Sequence, residues 1–129
     1  MERMKLKFAS ATRAMESLGQ ILDEPYSVIV RDASIQRFKY TFEAVWKFSK
    51  EFLKTNQGVV CNAPKACFRE MLGQGLLNEE EAEQCLEMTD RRNQTSHTYN
   101  EEVAQLIYGQ IAEYYRLMKM LLDRIDRII

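Results

Sequence analysis

The chain has 129 residues, 46% of them hydrophobic and 29% charged, and its 18 basic and 19 acidic side chains leave a formal charge of −1. That length suits one domain over residues 1–129 and allows a core without staples. Near-neutrality excludes a binder driven by bulk attraction to nucleic acid, although a local basic groove is still allowed. No window approaches the ~18–20 continuous apolar residues of a membrane span. The stretch Met1–Phe8 alternates charged and apolar residues and has no apolar signal core. A cytoplasmic protein with no membrane contact is expected.

Helical periodicity dominates between sparse breakers, five glycines and two prolines. Met4, Phe8, Ala11, Met15, Leu18 and Leu22 recur at steps of three and four, so they predict a first helix that Pro25 ends. A second helix starts near Val28, buries Ile35, Phe38, Phe42, Val45 and Phe52, and closes at Asn56-Gln57-Gly58. Val28-Ile29-Val30 is the best β candidate, but it is short and runs straight into this helical pattern. Pro64 suits the first turn of a third, short helix that buries a combination of Ala66, Phe68, Met71 and Leu72 and ends at Gly73 and Gly75.

Asn78 followed by Glu79-Glu80-Glu81 reads as a capping side chain with acids at the positive end of a helix dipole. The fourth helix reads Ala82, Cys85, Leu86, Thr89 and stops near Arg92–Gln94. Asn100 with Glu101 and Glu102 opens the last helix, whose stripe runs Val103, Leu106, Ile107, Ile111, Tyr114, Met118, Leu121, Leu122, Ile125. Asp123–Arg127 is expected as a solvated helix end. The predicted fold is all-α, an antiparallel up-and-down bundle of four to five helices. Tyr108 and Tyr115 lie off the main stripe of the last helix, which suits either a subunit contact or surplus core aromatics.

Cys61, Cys67 and Cys85 are odd in number and form no CxxC pair. A zinc site needs about four ligands at short paired spacings, and His97 is the sole imidazole. Buried free thiols are expected, with no metal and no other cofactor.

The segment between the fourth and last helices carries the chemistry. Arg92-Asn93-Gln94-Thr95-Ser96-His97-Thr98-Tyr99 joins an arginine, which can hold phosphate in a planar fork, to a histidine able to titrate near neutrality. On a continuous helix, five residues turn the chain by about 140°, so Arg92 and His97 converge only where the helix bends or ends. Thr95 and Ser96 favour such a break, because their hydroxyls compete for backbone hydrogen bonds. Metal-free RNA cleavage suits the pair: His97 moves a proton and Arg92 stabilises charge on the phosphate. One histidine is hard-pressed to be both acid and base, and a symmetric dimer supplies a second. The plainer alternative has His97 capping the fourth helix and Arg92 pairing with Glu87 or Asp90.

On the second helix, Tyr40, Glu43 and Lys47 form a polar ridge, with Arg37 a turn earlier. The ridge either lines the motif cleft or is a solvated face with Glu–Lys support. Trp46 reads as a core or interface anchor. A nucleotidyltransferase needs clustered metal-binding acids on a sheet, and the chain shows neither.

The motif Arg92-x4-His97-x-Tyr99 resembles the signature of the HEPN superfamily of helical domains. The longer string through Asn100-Glu101, the segment Gln36–Lys47, and Pro64-Lys65-x2-Phe68-Arg69-Glu70 with Gly75-Leu76-Leu77 are similar to one branch, the substrate-binding partners of minimal nucleotidyltransferases. The resemblance implies a HEPN-like bundle that forms a homodimer or higher homo-oligomer through the motif face and works with a separate minimal nucleotidyltransferase. It also implies a nucleotide- or RNA-binding site in which Arg92 and His97 are the catalytic candidates. Asn93, Thr95, Ser96, Tyr99, Arg37 and Lys47 are candidates for substrate contact, and Tyr99 for modification by AMP. An active metal-independent ribonuclease toxin and a non-catalytic adaptor remain alternatives, so whether the chain is an enzyme stays open.

Overall fold

The computed structural model describes residues 2–129. It comprises α1 (Glu2–Leu22), α2 (Val28–Gln57), α3 (Pro64–Gly73), α4 (Glu79–Gln94), a 3-10 turn (Thr95–His97) and α5 (Glu101–Ile128). No strand occurs among the described residues, and Val28-Ile29-Val30 forms the first turn of α2. The architecture is the expected up-and-down helical bundle. α1 packs chiefly on α2, α2 also meets α5, and α3 lies against α4.

The helix ends follow local chemistry. The Ser27 hydroxyl accepts from the Val30 amide at 3.0 Å and starts α2. Gly58, at φ 67°, ends that helix in the left-handed region, which a side chain disfavours. Asn78 and Glu81 form a reciprocal capping box on α4, with bonds of 2.8 and 2.9 Å. The Asn100 side chain accepts the Glu102 and Val103 amides and so starts α5 as soon as the motif ends.

The core is aromatic at its centre. Phe38, Phe42, Phe48, Phe52 and Phe68 are fully buried, and Phe38 stacks on Tyr114 with 5.8 Å between centroids. Truncating any of these phenylalanines costs about 3–5 kcal/mol, and four of the five lie on α2, with Phe68 on α3. Tyr115 reaches α1 at Gly19, where a Cβ would stand 2.9 Å from its hydroxyl. Tyr108 packs on Tyr26 at 5.6 Å. Within the chain both off-stripe tyrosines therefore have packing partners.

Three expectations need correction. Leu106 is 47% exposed, because the stripe of α5 is centred on Ala104, Ile107 and Ile111 and Leu106 lies about 100° from Ile107. Arg124 is not a solvated helix end: its guanidinium grips Glu81 with bonds of 2.8 and 2.9 Å and donates to the Leu76 carbonyl. Cys61 and Cys67 are not free thiols but form a disulfide that joins the α2–α3 loop to α3. Only Cys85 is a buried free thiol, and burial pushes it up to about 12. Arg31, which no pattern in the sequence singles out, is buried. It spans from α2 to Glu101 at 2.6 and 3.3 Å and also holds Asp32 at 3.0 Å. No described helix is long and apolar enough to cross a membrane.

Candidate functional site

Arg92 sits in the last turn of α4, where the partial negative charge of the helix end favours a cation. Its Nη2 forms an ion pair with Glu43 Oε1 on α2 at 2.9 Å. The second oxygen of the same carboxylate accepts from Trp46 Nε1 at 3.1 Å and stands 3.7 Å from Lys47 Nζ. Glu43 is thus a hub that joins one motif residue to the polar ridge of α2. Arg92 does not pair with Glu87 or Asp90: Glu87 accepts from Tyr114, and Asp90 pairs with Lys65 at 2.7 Å.

Charge at this corner is unbalanced. Two cations, Arg92 and Lys47, share one carboxylate. Neighbouring Arg91 is held by the neutral side chains of Gln110 and Gln94. The Nε of Arg92 is buried without an acceptor. A donor left in that state is costly, and the guanidinium keeps hydrogen-bonding capacity that the isolated chain does not meet.

Beyond Arg92 the helix tightens. Thr95 Oγ1 donates to the Arg92 carbonyl at 2.6 Å, and Ser96 Oγ donates to the Asn93 carbonyl at 3.2 Å. These hydroxyls close the end of α4, and Thr95 is itself buried. The cap is made by Thr95 and Ser96 and does not use His97. Asn93 remains exposed on the last turn of α4.

His97 and Tyr99 form a second pair. Tyr99 Oη lies 3.3 Å from His97 Nδ1, with the rings edge to face at 5.9 Å. Both side chains are exposed, Tyr99 to 84%. The turn that carries them is closed by the Asn100 amide on the His97 carbonyl at 3.1 Å. The Arg31–Glu101 contact fixes the start of α5 two residues after Tyr99 and holds the Glu101 carboxyl below the usual range.

Among the described residues no hydrogen bond joins the side chains of Arg92 and His97. The structure brings together Arg92, Glu43, Trp46 and Lys47, and separately His97 and Tyr99. Arg37 belongs to neither group: it donates to the Ser17 carbonyl at 2.8 Å. Tyr40 turns to α1 as well, its hydroxyl 3.1 Å from Ser17 Oγ. Along α2, Arg37 and Glu43 are about 120° apart, which explains the divergence. Two cavities, of about 560 and 340 Å³, run between α1 and α5 and are lined by no motif residue. Of the motif residues, Asn93, Ser96, His97 and Tyr99 are exposed, Arg92 is half-buried and Thr95 is buried.

An all-helical bundle with an arginine–histidine–tyrosine connection between its last two long helices defines the class. The family described as nucleotidyltransferase substrate binding protein like matches residues 6–127, and the chain belongs to it. A solved protein from Thermus thermophilus is 41% identical, with a TM-score of 0.86 over 89% of this chain and 98% of that one. The fold also matches the tri-AMPylated Shewanella oneidensis HEPN toxin, solved in complex with its MNT antitoxin. That likeness has a TM-score of 0.77 and 15% identity over 96% of each chain. HI0074 from Haemophilus influenzae, solved as the fold of a substrate binding domain of a nucleotidyltransferase, gives 0.65 at 22% identity, covering 97% of this chain and 98% of that one. Comparison with curated protein sequences gives no significant match. The bundle is HEPN-like, as the motif led us to expect.

Proposed function

We propose that this chain is the nucleotide- or RNA-binding partner subunit of a separate minimal nucleotidyltransferase, with Arg92 and Lys47 receiving phosphate and Tyr99 accepting AMP. The observation that carries the reading is the incomplete pairing at the end of α4. Two cations share the Glu43 carboxylate, and the Arg92 and Lys47 side chains are 27% and 55% exposed, so a ligand can reach both. A phosphate oxygen is the ligand chemistry that suits a guanidinium in this state. The exposed Tyr99 follows on the same connection. A HEPN toxin of the same fold is tri-AMPylated in complex with its antitoxin, which supports Tyr99 as an acceptor. A homodimer through the motif face belongs to this reading.

Metal-independent ribonuclease activity is the second reading, favoured by the exposure of His97, which leaves its imidazole accessible to a ribose hydroxyl. With one histidine per chain, this reading uses two copies of the motif across a dimer. Incubation of the purified protein with a mixed RNA pool in EDTA tests both. Binding that weakens in Arg92→Ala, without cleavage, supports the partner role. Cleavage lost in His97→Ala moves the assignment to the ribonuclease. RNA and nucleotide affinities unchanged in Arg92→Ala would contradict the site itself.

A further inference from the structure

We propose that His97 is the base that takes the phenolic proton of Tyr99 as this tyrosine attacks a nucleoside triphosphate; the inference rests on the AMP-acceptor reading of Tyr99. The contact is Tyr99 Oη to His97 Nδ1 at 3.3 Å, within the looser range of general-base pairs before substrate arrives. The turn that holds it is braced on both sides. Thr95 and Ser96 close the end of α4, the Asn100 amide bonds the His97 carbonyl, and the Asn100 side chain starts α5.

The other tyrosines lack this arrangement. Tyr26 meets the Gln105 amide at 2.8 Å, and Tyr40 meets Ser17. Tyr114 donates to Glu87, but burial and that carboxylate push its phenol up, away from ionisation. Tyr108 and Tyr115 are partly buried against the core. Tyr99 alone joins an exposed phenol to an imidazole.

In the step, Tyr99 Oη forms a bond to the α-phosphorus while the bond from that phosphorus to the bridging oxygen breaks. Pyrophosphate leaves with the electron pair, and the phenolic proton passes to Nδ1. The resulting imidazolium returns the proton to solvent. Transfer also converts Oη into an ester oxygen, which has no proton left to give to Nδ1.

An aryl sulfonyl fluoride tests the proton transfer directly, because tyrosine displaces fluoride only as its proton is removed. The intact protein is treated with the reagent, and labelling of Tyr99, Tyr26 and Tyr40 is followed by peptide mass spectrometry. We expect Tyr99 to react about tenfold or more faster than the other two, in line with general-base assistance. In His97→Gln its rate falls to theirs, and added imidazole restores part of it in His97→Ala. His97 is exposed, so these variants keep the fold. Equal Tyr99 rates in wild type and His97→Gln would overturn the proposal. The probe needs no transferase, so this failure is distinct from failure of the acceptor reading. The latter shows as wild-type protein left unmodified by the transferase and ATP.

Discussion

The Glu43 carboxylate on α2 holds the Arg92 guanidinium at the end of α4, Oε1 to Nη2 at 2.9 Å, while its other oxygen faces Trp46 and Lys47. One anion thereby sets the charge at the motif and ties the second helix to the fourth. Both side chains of the pair are about 30% exposed. The contact is therefore screened only in part, and an incoming phosphate can compete with it.

Glu43→Gln is expected to tighten binding of single-stranded RNA by a few-fold, up to about tenfold at low salt, because Arg92 and Lys47 lose their shared counter-ion. The salt dependence should steepen, since more cationic charge then meets the phosphates. Fluorescence anisotropy at two salt concentrations reads both effects, and Trp46 emission should shift as its Nε1 changes partner. Weaker binding in Glu43→Gln would show that the carboxylate acts by placing Arg92 and not by neutralising it.

Arg92→Ala and Lys47→Ala should each weaken RNA or nucleotide binding, Arg92 the more strongly. Loss of one charge-assisted contact is worth about 1.5–3 kcal/mol, roughly tenfold to a hundredfold in Kd. Arg37→Ala serves as the contrast: its guanidinium bonds a carbonyl of α1, so stability should change more than affinity. An affinity loss in Arg37→Ala as large as in Arg92→Ala would contradict this division.

Glu81 combines two tasks, capping α4 and receiving Arg124 from α5. Glu81→Ala should cost about 1–2 kcal/mol in urea denaturation. Arg124 holds the Glu81 carboxyl below its usual range, and Arg31 does the same for Glu101. A depressed carboxyl contributes stability that is complete above its unfolded value. That contribution is lost as pH falls through the folded value. Tm should therefore decline as pH drops below ~4.3, and less steeply in Glu81→Gln. The same acid slope in both proteins would show that Glu81 makes no such contribution.

The disulfide makes a thiol count decisive. Native protein should react negligibly with iodoacetamide, since Cys85 is buried with its thiol raised and Cys61 and Cys67 are joined. Reduction in denaturant should expose all three cysteines. Replacing Cys61 by serine should cost about 2 kcal/mol, the loop-closure value for a separation of six residues. Three reactive thiols in the unreduced, denatured chain would exclude the bond. Such bonds are uncommon in a reducing cytosol, so the count also bears on compartment.

Helix order was readable from capping residues and stripes because these are local: Ser27 excepted, the breaks at Pro64, Gly58, Asn78 and Asn100 all announce themselves in the sequence. The motif string identified the connection that carries Arg92, His97 and Tyr99. The Glu43–Arg92 pair was not readable, since it depends on how α2 and α4 pack. Only the ridge at Tyr40, Glu43 and Lys47 pointed to it, and that ridge splits, Tyr40 turning to α1. Arg31 and Arg124 were missed because arginine reads as surface until a carboxylate from another helix meets it. Cys61 and Cys67 lacked a recognised spacing, and their pairing follows from the fold of the α2–α3 loop.

Partnership with a nucleotidyltransferase through the motif is the reading on which the others depend. Its decisive experiment incubates the wild type and Tyr99→Phe with the minimal nucleotidyltransferase of the same organism and ATP, then maps added mass by peptide. AMP is expected on the Tyr99 peptide of the wild type and on no peptide of Tyr99→Phe. An unmodified wild type, or equal modification of both proteins, would refute the partnership at this site.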